Sequence, residues 1–183
     1  MPSAVPLRDA APDPQSLPIE DLLTYRVCIL AKMLDRVSAA ELARACALGV
    51  AEWRVLAQLA IHSPSTVRWL AARLRVDRAE VSRAAAALIA RKLARREADP
   101  RDARSVLFSI TDSGSALYRR IMPDRLALHE RLMAALSTHE ADTLVAAVEK
   151  LTRLLDRDEN VVPAPIPRPA APAGESAARR RKR

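Results

Sequence analysis

Aromatic side chains are scarce in this chain: Tyr25, Trp53, Trp69, Phe108 and Tyr118 are the only five in 183 residues, and there are only three glycines. Such a composition, dominated by Ala and Leu, favours helices over sheets, and the length suffices for one domain with a sizeable core. No apolar run approaches the ~18 residues of a membrane span, and no apolar signal segment stands near the N-terminus. The expected location is the cytoplasm, without a membrane partner. The two cysteines, Cys28 and Cys46, lie eighteen residues apart on what reads as one helix. At 1.5 Å per residue they are roughly 27 Å apart, which excludes an intrachain disulfide. His62, His129 and His139 have no partner at i+4 and no cysteine pair, so neither a metal nor a cofactor is expected. A glycine-rich phosphate loop, a nucleophile elbow and metal-ligand spacing are all missing, which argues against an enzyme.

Positive charge, by contrast, is plentiful and concentrated. The net charge is +8, yet residues 1–65 sum to −1 and residues 112–160 to −2. Residues 66–104 carry eleven basic side chains against five acidic ones, and residues 161–183 carry six against one. A basic block between near-neutral flanks is the footprint of a nucleic-acid contact.

Periodicity divides the rest. Residues 1–16, with four prolines, read as a flexible arm. Pro18 with Glu20 and Asp21 marks a helix start, and Leu23, Val27, Leu30, Leu34 and Val37 recur at helical spacing to about Ala47. Leu48-Gly49-Val50 breaks that helix. A second runs from Ala51 to His62 with Trp53, Leu56 and Leu59 inward, and Ser63-Pro64-Ser65 ends it. Thr66 is the expected N-cap of a third, with Leu70, Ala71 and Leu74 buried.

Asp77 and Glu80 open a fourth helix with Val81, Ala85 and Leu88 inward. Arg78, Ser82, Arg83 and Ala86 then face out, and alanine at 84–87 would keep the helix slim enough for a groove. Beyond Leu93 the period becomes two: Val106, Phe108 and Ile110 alternate with Ser105, Leu107 and Ser109 on an expected strand paired with about 94–97, and 99–104 form the hairpin tip. Thr111 and Asp112 start a fifth helix carrying Leu117, Ile121, Leu128, Leu132 and Leu136, kinked at Pro123. A sixth spans about 138–157 with Leu144, Val148, Leu151 and Leu155 in one stripe. From 159 the chain is Pro/Ala-rich and basic, and is expected to be disordered.

Four helices, a hairpin and two long helices, over about residues 18–157, resemble the MarR family of winged-helix regulators. The specific signature is the stretch Asp99-Pro100-Arg101-Asp102-Ala103-Arg104-Ser105-Val106-Leu107-Phe108-Ser109-Ile110-Thr111-Asp112-Ser113-Gly114, which looks like that family's wing. Gly49 to Leu56, Leu70-Ala71 and Val81-Ser82-Arg83 add to the match. The resemblance implies a mainly α, winged helix–turn–helix fold with long N- and C-terminal dimerisation helices (17–47 and 112–158) around a DNA-binding domain (48–111). It implies a homodimer, its first, fifth and sixth helices interlocked, on a pseudo-palindromic double-stranded DNA site. The outer apolar stripes agree, being longer than a small winged domain needs to cover its own core.

By the same resemblance Arg78, Ser82 and Arg83 read bases, and Arg104 enters the minor groove held by Asp102. Arg101, Thr66, Arg68, Arg95 and Arg96 are assigned to the wing contacts and phosphates. Lys92 stands where the family often has glycine, so the recognition helix is expected to end differently. Trp69 replaces a usual polar residue and is expected to cover a neighbouring helix or the dimer cleft, with DNA or ligand contact the alternative. A small aromatic or anionic effector is implied, with Arg54 and His62 as candidate ligands. Cys28 lies close to where the family's organic-hydroperoxide sensors carry their reactive cysteine. It reads first as a small interface residue and otherwise as a thiol sensor. The function expected is a ligand-responsive, sequence-specific repressor. Against it stand a non-specific architectural or protein-binding winged helix, and an oxidant sensor using Cys28.

Overall fold

Four short polar side chains set where four helices begin. The computed structural model describes residues 18–158, except Arg101 and the side chains of Ala103, Arg104, Arg157 and Asp158. Within it Thr66 Oγ1 accepts from Trp69 N (3.1 Å) at the start of α3 (Val67–Leu74). Asp77 Oδ1 accepts from Glu80 N (2.7 Å) at the start of α4 (Arg78–Ala90). Thr111 Oγ1 accepts from Gly114 N (3.0 Å) and opens α5 (Asp112–Met133), which continues through Pro123. Ser137 and Glu140 cap each other reciprocally at the head of α6 (Thr138–Asp158). Each cap satisfies amide donors that the first helical turn leaves without partners.

The chain forms two compact units that divide between Val50 and Ala51. In the first, Pro18 and its acids begin only a 3₁₀ turn, Ile19–Asp21, and Leu22 is extended before α1 (Leu23–Cys46) starts. The expected start at Pro18 is therefore corrected. Arg26 folds back to bond Asp21 Oδ1 (2.7 Å) and the Glu20 carbonyl (2.8 Å), which holds the turn as a separate element. Leu23, Val27, Leu30 and Val37 lie exposed along α1, whereas Leu42 and Cys46 are buried.

In the second unit α2 (Val50–His62) contributes Trp53, Val55, Leu56 and Leu59 to a core completed by Trp69, Leu70, Val81, Ala84, Ala85, Leu88, Phe108 and Ile121. Trp53 stacks on Tyr118 of α5, with ring centroids 5.7 Å apart. The sheet has three antiparallel strands in the order β1 (Ser65–Thr66), β3 (Asp102–Ile110), β2 (Ala94–Asp99). The sequence pattern anticipated only the β2–β3 pair. β1 adds Ser65 opposite Phe108 and Thr66 opposite Leu107. Ser63 fastens this edge, its hydroxyl donating to the Leu59 carbonyl and accepting from Ile110 N (2.9 Å).

One expectation about the hairpin is corrected. β2 and β3 run on to an Asp99–Asp102 pair, so the tip is narrower than the stretch 99–104, and the register shifts between Ala98 and Asp99. Val106 is 41% exposed, whereas Phe108 is buried. On α4, Ala85 is buried and Ala86 exposed, as the helical period predicts, and Ala84 is buried as well. The small side chains of Ala84 and Ala85 let α4 approach the core closely.

Helix ends are unusual for a chain so poor in glycine. Ala47, Arg75 and Lys92 follow the last turns of α1, α3 and α4 with φ of 51°, 57° and 58°. After α4, Lys92 N bonds the Ile89 carbonyl (2.8 Å) and Leu93 N bonds the Leu88 carbonyl (2.9 Å). That pairing is a Schellman motif, which normally places glycine at the left-handed position. The helix thus ends as a glycine would end it, contrary to the expectation for Lys92.

Candidate nucleic-acid interface

α4 presents a clean division. Val81, Ala84, Ala85 and Leu88 face the core, while Arg78, Ser82 and Arg83 are exposed on the opposite side. The first two of these are one helical turn apart and Arg83 adjoins them, so the three form one patch near the helix N-terminus. Long basic side chains and a hydroxyl on one such patch can donate to guanine and to phosphate oxygens together.

The residues assigned to phosphate surround that patch from several elements. Thr66 is half-buried, and its oxygen is engaged in the α3 cap, which leaves its hydroxyl proton to donate. Arg68, in the first turn of α3, is exposed, as are Arg95 and Arg96 on β2. Alternation along the strand sends Arg95 and Arg96 to opposite faces of the wing. Arg95 pairs with Glu97, two residues along the same face. The hydrogen bond and charge of Glu97 raise the Arg95 pKa above its ordinary value. On the wing itself Asp102 is exposed at the start of β3. Arg101 and the Arg104 side chain lie outside the described residues.

The proposed ligand residues are not brought together. Arg54 is exposed and lines a small cavity of ≈ 10 Å³ with Val55, Leu74, Val76, Glu80 and Val81, room for about one water. His62 is at the far end of α2, its ring 4.9 Å from Trp69. Trp69 is 3% exposed and packs against that helix end, which is the covering role expected of it. Cys28 is exposed on α1; Cys46 is buried, and its thiol donates to the Leu42 carbonyl (3.3 Å). The described residues hold no group of three His, Cys, Asp or Glu arranged to take a metal. One contact had no signal in the sequence: Arg75, in the turn between α3 and α4, is ion-paired with Asp156 near the end of α6, 81 residues away.

The geometry is that of a winged helix–turn–helix, and comparison with known proteins agrees. A family model described as the MarR family matches residues 47–105. The HTH-type transcriptional regulator YxaD of Bacillus subtilis is 33% identical over 99 residues, which is 54% of this chain and 69% of that protein. The chain belongs to the MarR family. Its members are winged-helix transcriptional regulators, and the matched span takes in α2, α3, α4, β2 and the head of β3. The HTH-type transcriptional repressor NicR of Pseudomonas putida is 33% identical over 105 residues, 57% of this chain and 65% of that protein. A crystal structure of a MarR variant from E. coli complexed with operator DNA shares the fold, with a TM-score of 0.65 and 24% identity, covering 70% of this chain and 92% of that one. No described helix is long and apolar enough to cross a membrane.

Proposed function

We propose that this MarR-family regulator binds a pseudo-palindromic operator as a homodimer and represses until a small effector binds. Apolar surface on two long helices carries the reading. On α6, Leu144, Val148, Leu151 and Leu155 are between 44% and 65% exposed and lie along one stripe at spacings of four, three and four. On α1, Leu23, Val27, Leu30 and Val37 are between 38% and 52% exposed, at spacings of four, three and seven. Stripes of this length cost solubility unless covered, and a second copy of the chain covers them symmetrically. A two-fold dimer then offers two α4 patches, each with Arg78, Ser82 and Arg83, to half-sites about one helical turn apart.

Arg101, Asp102 and Arg104 serve as the wing contacts, and Thr66, Arg68, Arg95 and Arg96 hold the flanking phosphates. The repressor assignment is supported by the name of the P. putida relative, and operator binding by the complex of the E. coli variant. An aromatic or anionic effector releases DNA if it prefers a dimer whose two α4 helices are spaced differently. Arg54 and His62 are its candidate ligands. The place of action is the cytoplasm.

Sedimentation tests the assembly. The protein is expected to run as a dimer, and Val148→Asp is expected to shift it to monomer and weaken operator binding while leaving helicity intact, since Val148 is 54% exposed. A native protein that stays monomeric at micromolar concentration contradicts the proposal.

A further inference from the structure

No described residue of α6 is buried within its own chain. Among the described residues, α6 makes one side-chain bond outside its own turns and its Ser137 cap. That bond is the ion pair from Asp156, in its last turn, to Arg75. Arg75 belongs to a stiff part of the fold. It caps α3 in a left-handed conformation (φ 57°), and its amide donates to the Ala71 carbonyl, as does that of Val76 (3.2 Å). Asp77 follows and caps α4 through Glu80 N (2.7 Å). Leu70 and Ala71 of α3 are buried, as are Val81 and Ala85 of α4. A close-packed corner held this way moves as a body, so the Arg75 side chain and the head of α4 with Arg78 and Ser82 shift together.

Both partners are about four-tenths exposed (39% and 40%), so the pair contributes little to stability. Its consequence is positional. In the dimer proposed above, α6 lies at the interface while α4 meets the half-site, and the pair joins the one to the other. Two half-sites on one duplex demand one distance between the two α4 helices. A dimer that samples many distances binds an operator only through the fraction of its population that fits.

We infer that Arg75 and Asp156 are positioning residues for operator recognition: their ion pair ties the end of α6 to the α3–α4 corner and so sets the spacing of the two α4 helices. This rests on the reading of the protein as an operator-binding dimer. The rival role has the opposite sign. If Asp156 did no more than offset the charge of Arg75, removing its carboxylate would raise the local positive charge and tighten binding to every duplex.

Full-length Asp156→Asn, and the charge swap combining Arg75→Asp with Asp156→Arg, test this. Anisotropy is read on an operator duplex, on operators whose half-sites are moved one base pair closer or farther, and on a scrambled duplex. Asp156→Asn is expected to bind the operator about three- to tenfold more weakly, since two such exposed pairs act in each dimer. It should also lose most of the native discrimination against altered spacings, and the swap should recover that discrimination. Without DNA, a spin label at Ala86→Cys, exposed on α4, reads the distance between the two α4 helices in a Cys28→Ser background. Its distribution should be narrow with the native pair, broader in Asp156→Asn and narrow again in the swap. Unchanged or tighter operator binding in Asp156→Asn overturns this inference alone, as does an unchanged distance distribution. Equal binding of operator and scrambled duplex by the native chain, with the distribution still broadened in Asp156→Asn, overturns the operator reading and leaves the tie between α6 and α4 standing.

Discussion

Lys92 shows what a single residue contributes at this fold's tightest corner. It occupies a left-handed conformation (φ 58°) inside a Schellman motif, where its Cβ is crowded and glycine's absence is felt. Lys92→Gly is expected to raise stability by about 1 kcal/mol, read as a higher Tm of the free protein. The reverse holds at Gly114. A Cβ there would lie 2.0 Å from the Leu93 carbonyl oxygen and 2.8 Å from Ile110 Cγ1. Leu93 O is also the acceptor of Thr111 N (3.1 Å), so neither backbone segment can retreat without breaking the junction of the wing with α5. Gly114→Ala is expected to cost on the order of 3 kcal/mol or more, visible in thermal melts. Gly114 was legible in the sequence as the last residue of the wing signature. The left-handed roles of Ala47, Arg75 and Lys92 were not, because nothing in a non-glycine side chain announces a conformation it is forced into.

At the scale of elements, caps were the most readable feature. Thr66, Asp77 and Thr111 each stand where a short polar side chain precedes an apolar period, and each accepts from an amide three residues on. The α6 box adds a pH dependence. Ser137 donates to Glu140 through both its hydroxyl (2.7 Å) and its amide (2.8 Å), and these bonds hold the Glu140 pKa below its ordinary value of 4.5. A depressed carboxylate pKa contributes stability that is complete above 4.5 and is lost as the pH falls through the lower folded value. Ser137→Ala is therefore expected to lower Tm at neutral pH, with the difference from the native protein shrinking in acid; a constant difference contradicts the assignment. Strands were less legible than helices. Two residues of β1 have no period to detect, and the alternation of Val106, Phe108 and Ile110 reveals an inner face only where a layer covers it. Phe108 is covered and Val106 is not.

For the whole molecule, the exposed face of α4 was legible in the sequence because charge and helical period coincide at Arg78, Ser82 and Arg83, and all three are exposed. The Arg75–Asp156 pair was not, because 81 residues of intervening chain carry no trace of which turn meets which helix end. Arg54 and His62 were candidates only through the family resemblance, and eight residues along α2 separate them by about 12 Å. Function in this protein stands or falls on α4 reading bases while the surrounding arginines hold phosphate. Fluorescence anisotropy of the full chain decides it, on a duplex enriched from a random library and on a scrambled control at fixed salt. We expect an inverted-repeat sequence bound about 10³-fold more tightly than the control. Arg83→Ala should remove about 1–3 kcal/mol of that discrimination, and Arg104→Ala should weaken it at the wing. A library that yields no enriched repeat, with equal binding to every duplex, contradicts base reading by α4 and leaves a winged helix that binds DNA by charge alone.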